Sequence, residues 1–170
     1  DRIGARVKEH MPAGAAGITA RFRFFRYGPE TVYRRHVDGS WPAAALNSEG
    51  EYLIDASEGK LRSRLTLLMY LSEGFLGGAT TFYTSTPGHP GTISARGVAP
   101  REGCALCFPH GDADDSPVHE GSAVAPGPSG ARHKYIIRTD VLFHVVEGGD
   151  GAGGEGAGGG GGEGGTVNTK

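Results

Sequence analysis

In His133-Lys-Tyr-Ile-Ile-Arg-Thr-Asp-Val-Leu-Phe-His-Val-Val146, residues 134–146 read as one long β-strand. β-Branched and aromatic residues dominate the run, a composition that suits a pleated and packed surface. Side chains alternate across a strand, so Lys134 and Ile136 share one face while Tyr135 and Ile137 share the other. A strand this apolar needs neighbours on both edges, and upstream segments supply them. Arg64–Leu71 is a second apolar run, Ile18–Tyr27 alternates and is rich in aromatics, and Thr31–His36, Thr80–Tyr83 and Cys104–Phe108 are shorter. Gly28-Pro29-Glu30 and Gly77-Gly78 are turn or break signals. Residues 39–60 form a long excursion with a hairpin around Tyr52-Leu53-Ile54, and residues 84–100 read as a loop.

Ahead of the strands, Ile3, Val7 and Met11 recur every four residues, which predicts a short amphipathic helix over 1–14, ended near Pro12 and Gly14. Many short strands with one helix predict a mainly β domain, a sandwich or barrel of antiparallel strands, over residues 1–147. Residues 148–165 are almost wholly Gly, Ala, Glu and Asp. They lack apolar side chains to offset the entropy of ordering the backbone, so 148–170 reads as a flexible tail or linker.

The chain has 170 residues and a net charge of −2, which gives no basic surface for a phosphate backbone and no expectation of nucleic-acid binding. No run is long and apolar enough to span a bilayer. A first residue of Asp1 rather than Met suggests a piece of something longer. The two cysteines, Cys104 and Cys107, form a C-x-x-C without the second pair that a zinc ribbon needs. They read as packed free thiols, and the lack of a disulfide framework points weakly to a reducing, intracellular compartment.

The chemistry concentrates in Tyr33-Arg-Arg-His36-Val-Asp38-Gly39. His36 and Asp38 are two apart at a strand end and leave the same face, an imidazole beside a carboxylate. Alone, this could be a strand-end ion pair or half of a metal site. His119, in Ser116-Pro-Val-His119-Glu-Gly121, offers a third ligand, with His110 as its rival. Two imidazoles and a carboxylate make a facial triad, which leaves the opposite positions of an octahedral metal open for substrates. Such openness suits iron(II) that must hold a bidentate keto acid and dioxygen together. The far carboxylate of a dicarboxylic keto acid then needs a cation. Lys134 opens the final strand and is the candidate if buried; Arg132 and Arg138 share its parity and are the alternatives.

Taken together, the sequence resembles the prolyl 4-hydroxylase type of iron(II)/2-oxoglutarate-dependent dioxygenase. The resemblance runs collinearly through Arg21-Phe-Arg-Phe-Phe-Arg-Tyr27-Gly-Pro29 to His36-Val-Asp38-Gly-Ser40, through Leu65-Thr-Leu-Leu-Met-Tyr70-Leu71 with Phe75–Phe82, through Gly103–His110, and through His119-Glu-Gly121 to Lys134–Asp140. It implies a double-stranded β-helix, or jelly roll, with the metal at its open end. It also implies iron(II) on His36, Asp38 and His119, with Lys134 on the far carboxylate of 2-oxoglutarate. Tyr27 and Tyr70 would line the co-substrate pocket, and O2 and ascorbate, as reductant, would complete the chemistry. The reaction implied is hydroxylation of an unactivated C–H bond, of a peptidyl proline by analogy. A free amino acid or small metabolite is the alternative substrate, and a non-catalytic interaction module on the same fold is the alternative role. Trp41 and Tyr52 are expected to flank the active-site mouth. The stretch Ala123–Arg132 is longer than the turn expected there and reads as an inserted loop.

Overall fold

The structure is a computed structural model that describes residues 10–111 and 113–145. Its strands are β1 (Ala15–Ile18), β2 (Arg23–Tyr27), β3 (Tyr33–His36), β4 (Ala45–Leu46), β5 (Tyr52–Leu53), β6 (Leu61–Tyr70), β7 (Leu76–Gly77), β8 (Thr80–Ser85), β9 (Ile93–Val98), β10 (Ala105–Pro109), β11 (Val118–Gly121), β12 (Val124–Ala125) and β13 (Lys134–His144). All pairing between named strands is antiparallel.

The long final strand is the axis of the larger sheet. β13 pairs with β6 along one edge and with β1 and β2 in succession along the other, and β10 adds to the far side of β6. The smaller sheet runs β3-β11-β8-β9. The inward side chains of the two sheets meet. Leu68, Tyr70, Phe108 and Ile136 are buried at the centre, with Phe25, Tyr27, Phe82 and Leu106 around them. Phe82 of the smaller sheet stands edge-on to Phe108 of the larger, ring centres 5.0 Å apart. Each fully buried side chain of this kind contributes about 1.5–3 kcal/mol, so this shared apolar layer holds the sheets face to face. The result is the jelly roll expected from the sequence.

Several elements differ from the sequence reading. Ile18–Tyr27 is not one strand but the end of β1 and the whole of β2. The chain steps away between them, where Ala20 N–H bonds to Ala44 O instead of continuing the ladder. Residues 84–100, read as a loop, contain β9, an exposed edge strand whose Ser-Ala-Arg-Gly centre carries no apolar alternation. The predicted helix is not seen. Residues 1–9 lie outside the described residues, and residues 10–14 turn into β1, with Ala15 N–H bonded to Pro12 O and Gly14 at φ +79°. The cysteines are free but not packed. Both are exposed, because β10 is the edge of its sheet and Cys107 pairs with Leu67 on the outward side.

The inserted stretch is partly ordered by pairing, since β12 lies against β7. Gly77 makes this possible. Its φ is +70°, and a Cβ there would stand 2.3 Å from Ala123 O. Gly78 follows at φ +66°, and its backbone N–H bonds to Ala123 O.

Candidate metal centre and co-substrate pocket

His36 closes β3 and His119 lies in β11, directly across the ladder from it. Asp38 follows β3 by two residues, and its side chain is buried between the two imidazoles. His36 Nε2 is 3.4 Å from Asp38 Oδ1, and His119 Nε2 is 3.5 Å from Asp38 Oδ2. The three ligand atoms all lie within 4.8 Å of one another.

The orientation of each ring is fixed from behind. His36 Nδ1 donates to Arg34 O at 2.7 Å, and His119 Nδ1 donates to Pro117 O at 3.1 Å. A carbonyl only accepts, so the proton of each neutral ring sits on Nδ1 and the Nε2 lone pair faces Asp38. His36 Nε2 is buried and has no hydrogen-bond partner. A buried acceptor left in that state carries a desolvation cost that a cation would relieve. Burial also pushes the His119 pKa down, so its ring stays neutral and free to donate a lone pair. Burial alone would raise the Asp38 carboxyl. The Arg138 guanidinium and the Thr66 hydroxyl, joined by His36 and His119 whenever those rings carry a proton towards it, outweigh burial and hold the group well below the usual carboxylate range. Two imidazoles and one ionised carboxylate, converging without a bond between the rings, fit a divalent first-row metal.

Lys134, the first residue of β13, points into the same cleft from the larger sheet. Its ammonium is buried. Nζ donates to Gly78 O at 2.6 Å and lies 5.5 Å from the ring centres of both Tyr27 and Tyr70. No carboxylate among the described residues stands within ion-pair range of it. Burial without a counter-charge therefore brings its pKa down from 10.5 to about 8. Tyr27 is the cross-strand partner of Lys134, and burial raises its phenol to about 12, so it remains a donor. Tyr70 spends its hydroxyl on Thr80 at 2.9 Å and lies beneath the lysine.

The alternatives for Lys134 occupy other places. Arg132 is exposed ahead of β13. Arg138 is buried, but its guanidinium is engaged: Nη1 lies 2.5 Å from Asp38 Oδ1 and Nη2 lies 3.7 Å from Asp140 Oδ1. His110, the rival metal ligand, is also engaged at both ring nitrogens, with Thr66 Oγ1 and Ser63 Oγ each at 2.8 Å.

These contacts form a buried polar system behind Asp38 that the sequence reading missed. Charges alternate along Arg23, Asp140, Arg138 and Asp38, with Arg23 Nη2 3.6 Å from Asp140 Oδ2. The chain is balanced in sign, so Lys134 is the uncompensated cation of the cleft. The one available signal was parity. Arg138 and Asp140 share the inward face of β13 with Lys134, but the sequence could not say which loop would meet them.

The sequence model of the 2OG-Fe(II) oxygenase superfamily matches residues 22–139. The chain belongs to this superfamily. Its oxygenases act with iron(II), 2-oxoglutarate and dioxygen, and the matched segment runs from the approach to β2 through His36, Asp38 and His119 to Thr139. No curated protein and no solved structure matches the chain. Among the described residues of this oxygenase, no helix is long and apolar enough to cross a membrane.

Proposed function

We propose that this oxygenase hydroxylates an unactivated C–H bond, with iron(II) held by His36, Asp38 and His119 and the far carboxylate of 2-oxoglutarate received by Lys134. One observation carries the reading. A buried ammonium without a counter-anion shares a cleft with two imidazole lone pairs that converge on one carboxylate. A divalent cation and a dianion would together satisfy each of these groups.

Bound iron(II), with 2-oxoglutarate and dioxygen, supplies the oxidising power that the side chains lack. The residues around it position and shield. Backbone carbonyls at Arg34 and Pro117 hold the imidazoles in the donating tautomer. Phe82 and Phe108 pack against His119, and Ile136 and Leu68 line the cleft, so water is excluded from that side. Tyr27 stays protonated and can donate to a carboxylate.

For the substrate, the proposal is a prolyl residue in a peptide or protein, with ascorbate as reductant. This follows the resemblance to prolyl 4-hydroxylases. Trp41 and Tyr52, expected at the active-site mouth, instead border a second cavity of about 240 Å³ that shares no lining residue with the metal cleft. Trp41, Pro42, Tyr52 and Ile54 line it, and Trp41 and Tyr52 are both nearly half exposed. The test is to incubate the protein with iron(II), 2-oxoglutarate, ascorbate and a panel of proline-containing peptides, read by mass spectrometry with succinate release. A peptide gaining one oxygen supports the proposal. Succinate release stimulated only by free amino acids or small metabolites replaces the substrate class, and no succinate under any condition overturns the oxygenase assignment.

A further inference from the structure

We infer that Arg138 and Thr66 are positioning residues that clamp the Asp38 carboxylate from two sides; this rests on the proposed metal site. Each oxygen of Asp38 faces one imidazole and one further side chain, and Arg138 itself lines the cleft beside them. Oδ1 has His36 and Arg138 Nη1, while Oδ2 has His119 and Thr66 Oγ1 at 2.7 Å. A guanidinium ion pair on one oxygen and a hydroxyl hydrogen bond on the other fix the rotation of the carboxylate about its own axis, which neither could do alone.

Both donors are themselves braced. Arg138 Nη2 is held by charge rather than by a hydrogen bond, 3.7 Å from Asp140, which lies between Arg23 and His110. Thr66 has a single hydroxyl hydrogen, and an ionised carboxylate can only accept, so that hydrogen goes to Asp38. Thr66 Oγ1 must then accept from His110 Nδ1–H, which leaves His110 Nε2 to accept from Ser63 Oγ–H. Ser63 Oγ in turn accepts from Trp41 N–H at 2.9 Å. Every bond in this relay points the same way, from the backbone of Trp41 to Asp38, and each donation strengthens the next. Thr66, Ser63, His110, Arg138 and Asp140 are all buried, so the relay works at low dielectric, where misplacing any member is costly.

The sign of the Arg138 effect separates a clamp from simple electrostatics. Arg138 is a cation close to a cation site. Removing it relieves repulsion and should tighten metal binding if charge alone matters. As a clamp, its removal weakens binding, because partners that orient metal ligands typically contribute about 10–100-fold in affinity.

The test is Co(II) binding to the full chain without co-substrate, followed by the visible ligand-field spectrum, in wild type, Arg138→Met, Arg138→Lys, Thr66→Val and Thr66→Ser. The clamp gives about 10–100-fold weaker binding in Arg138→Met and Thr66→Val, with an altered spectrum at saturation. Thr66→Ser, which keeps the hydroxyl, restores both. Arg138→Lys keeps the buried charge, and so the fold, but cannot fork between Asp38 and Asp140, so it remains weaker than wild type. Arg138→Lys and Thr66→Val each carry the test if Arg138→Met does not fold. Equal or tighter Co(II) binding in these variants, with the wild-type spectrum, overturns the clamp while leaving the metal site in place. Failure of the wild type itself to bind Co(II) removes the metal site and the clamp with it.

Discussion

Lys134 is the residue at which the proposal has its clearest physical consequences. Its pKa in the free protein is about 8, below the ordinary 10.5, because burial disfavours the charged form. Between those two values the unfolded chain holds a proton that the folded chain has released. The lysine therefore costs the free protein stability below about pH 8 and progressively less as pH rises towards 10.5. A bound dicarboxylate needs the ammonium form, so affinity for 2-oxoglutarate is expected to fall about tenfold per pH unit above 8, measured by titration at fixed metal. Lys134→Met separates the two effects. It is expected to raise the melting temperature of the free protein, by removing an unpaired buried charge, and to weaken 2-oxoglutarate binding by about 2–5 kcal/mol. A lower melting temperature with unchanged affinity would show that Lys134 is only a structural partner of Gly78. That His36, Asp38 and His119 come together was legible from the collinear family resemblance rather than from strand parity, since Asp38 lies on the loop beyond β3. The engagement of Arg138 and His110 was not legible, since it depends on contacts 100 and 44 residues away in sequence, with Asp38 and Thr66.

Among elements, β6 and β13 were readable as strands because each is long and rich in β-branched, aromatic and leucine side chains. β9, β7 and β12 were not. Each is short or exposed, and in β12 the one buried anchor, Val124, is too little to mark a strand in the sequence. The β7–β12 pair still matters to the site, because Gly78, at its end, supplies the carbonyl that holds Lys134. Gly77→Ala is expected to destabilise the protein by more than about 1 kcal/mol in denaturant unfolding. A left-handed backbone costs an alanine roughly 1–2 kcal/mol, and the added Cβ meets the Ala123 carbonyl besides. The same substitution should loosen Lys134 from Gly78 and move its pKa. Gly14→Ala serves as the control, with a similar φ and no neighbour within 4 Å. Equal losses in the two would mean that backbone strain, not the close approach to Ala123, sets the cost.

In the whole molecule, the site exists only where the two sheets face each other. The smaller sheet contributes His36 and His119, the larger contributes Lys134 and Arg138, and Asp38 sits on the loop between β3 and β4. Packing the sheets and assembling the site are therefore one event, which links ligand binding to stability. Metal and 2-oxoglutarate at about a hundredfold excess over their dissociation constants should each add about 2.7 kcal/mol. Phe108→Ala, which removes a ring packed against both Phe82 and His119, should cost about 3–5 kcal/mol and weaken metal binding as well. A loss of stability with metal affinity intact would separate the core from the site. The Gly-rich segment 148–170 contributes none of the residues in this design. We propose that a chain ending at residue 147 binds metal and 2-oxoglutarate as the full chain does.

The most direct test of the proposed site is an anaerobic titration with iron(II) and 2-oxoglutarate, followed by visible absorption, in wild type, His36→Ala and Lys134→Ala. A charge-transfer band that saturates in wild type, vanishes in His36→Ala and needs far more 2-oxoglutarate in Lys134→Ala is the expected result. No band in folded wild-type protein, or an undiminished band in His36→Ala, would contradict the assignment of these residues to iron and co-substrate.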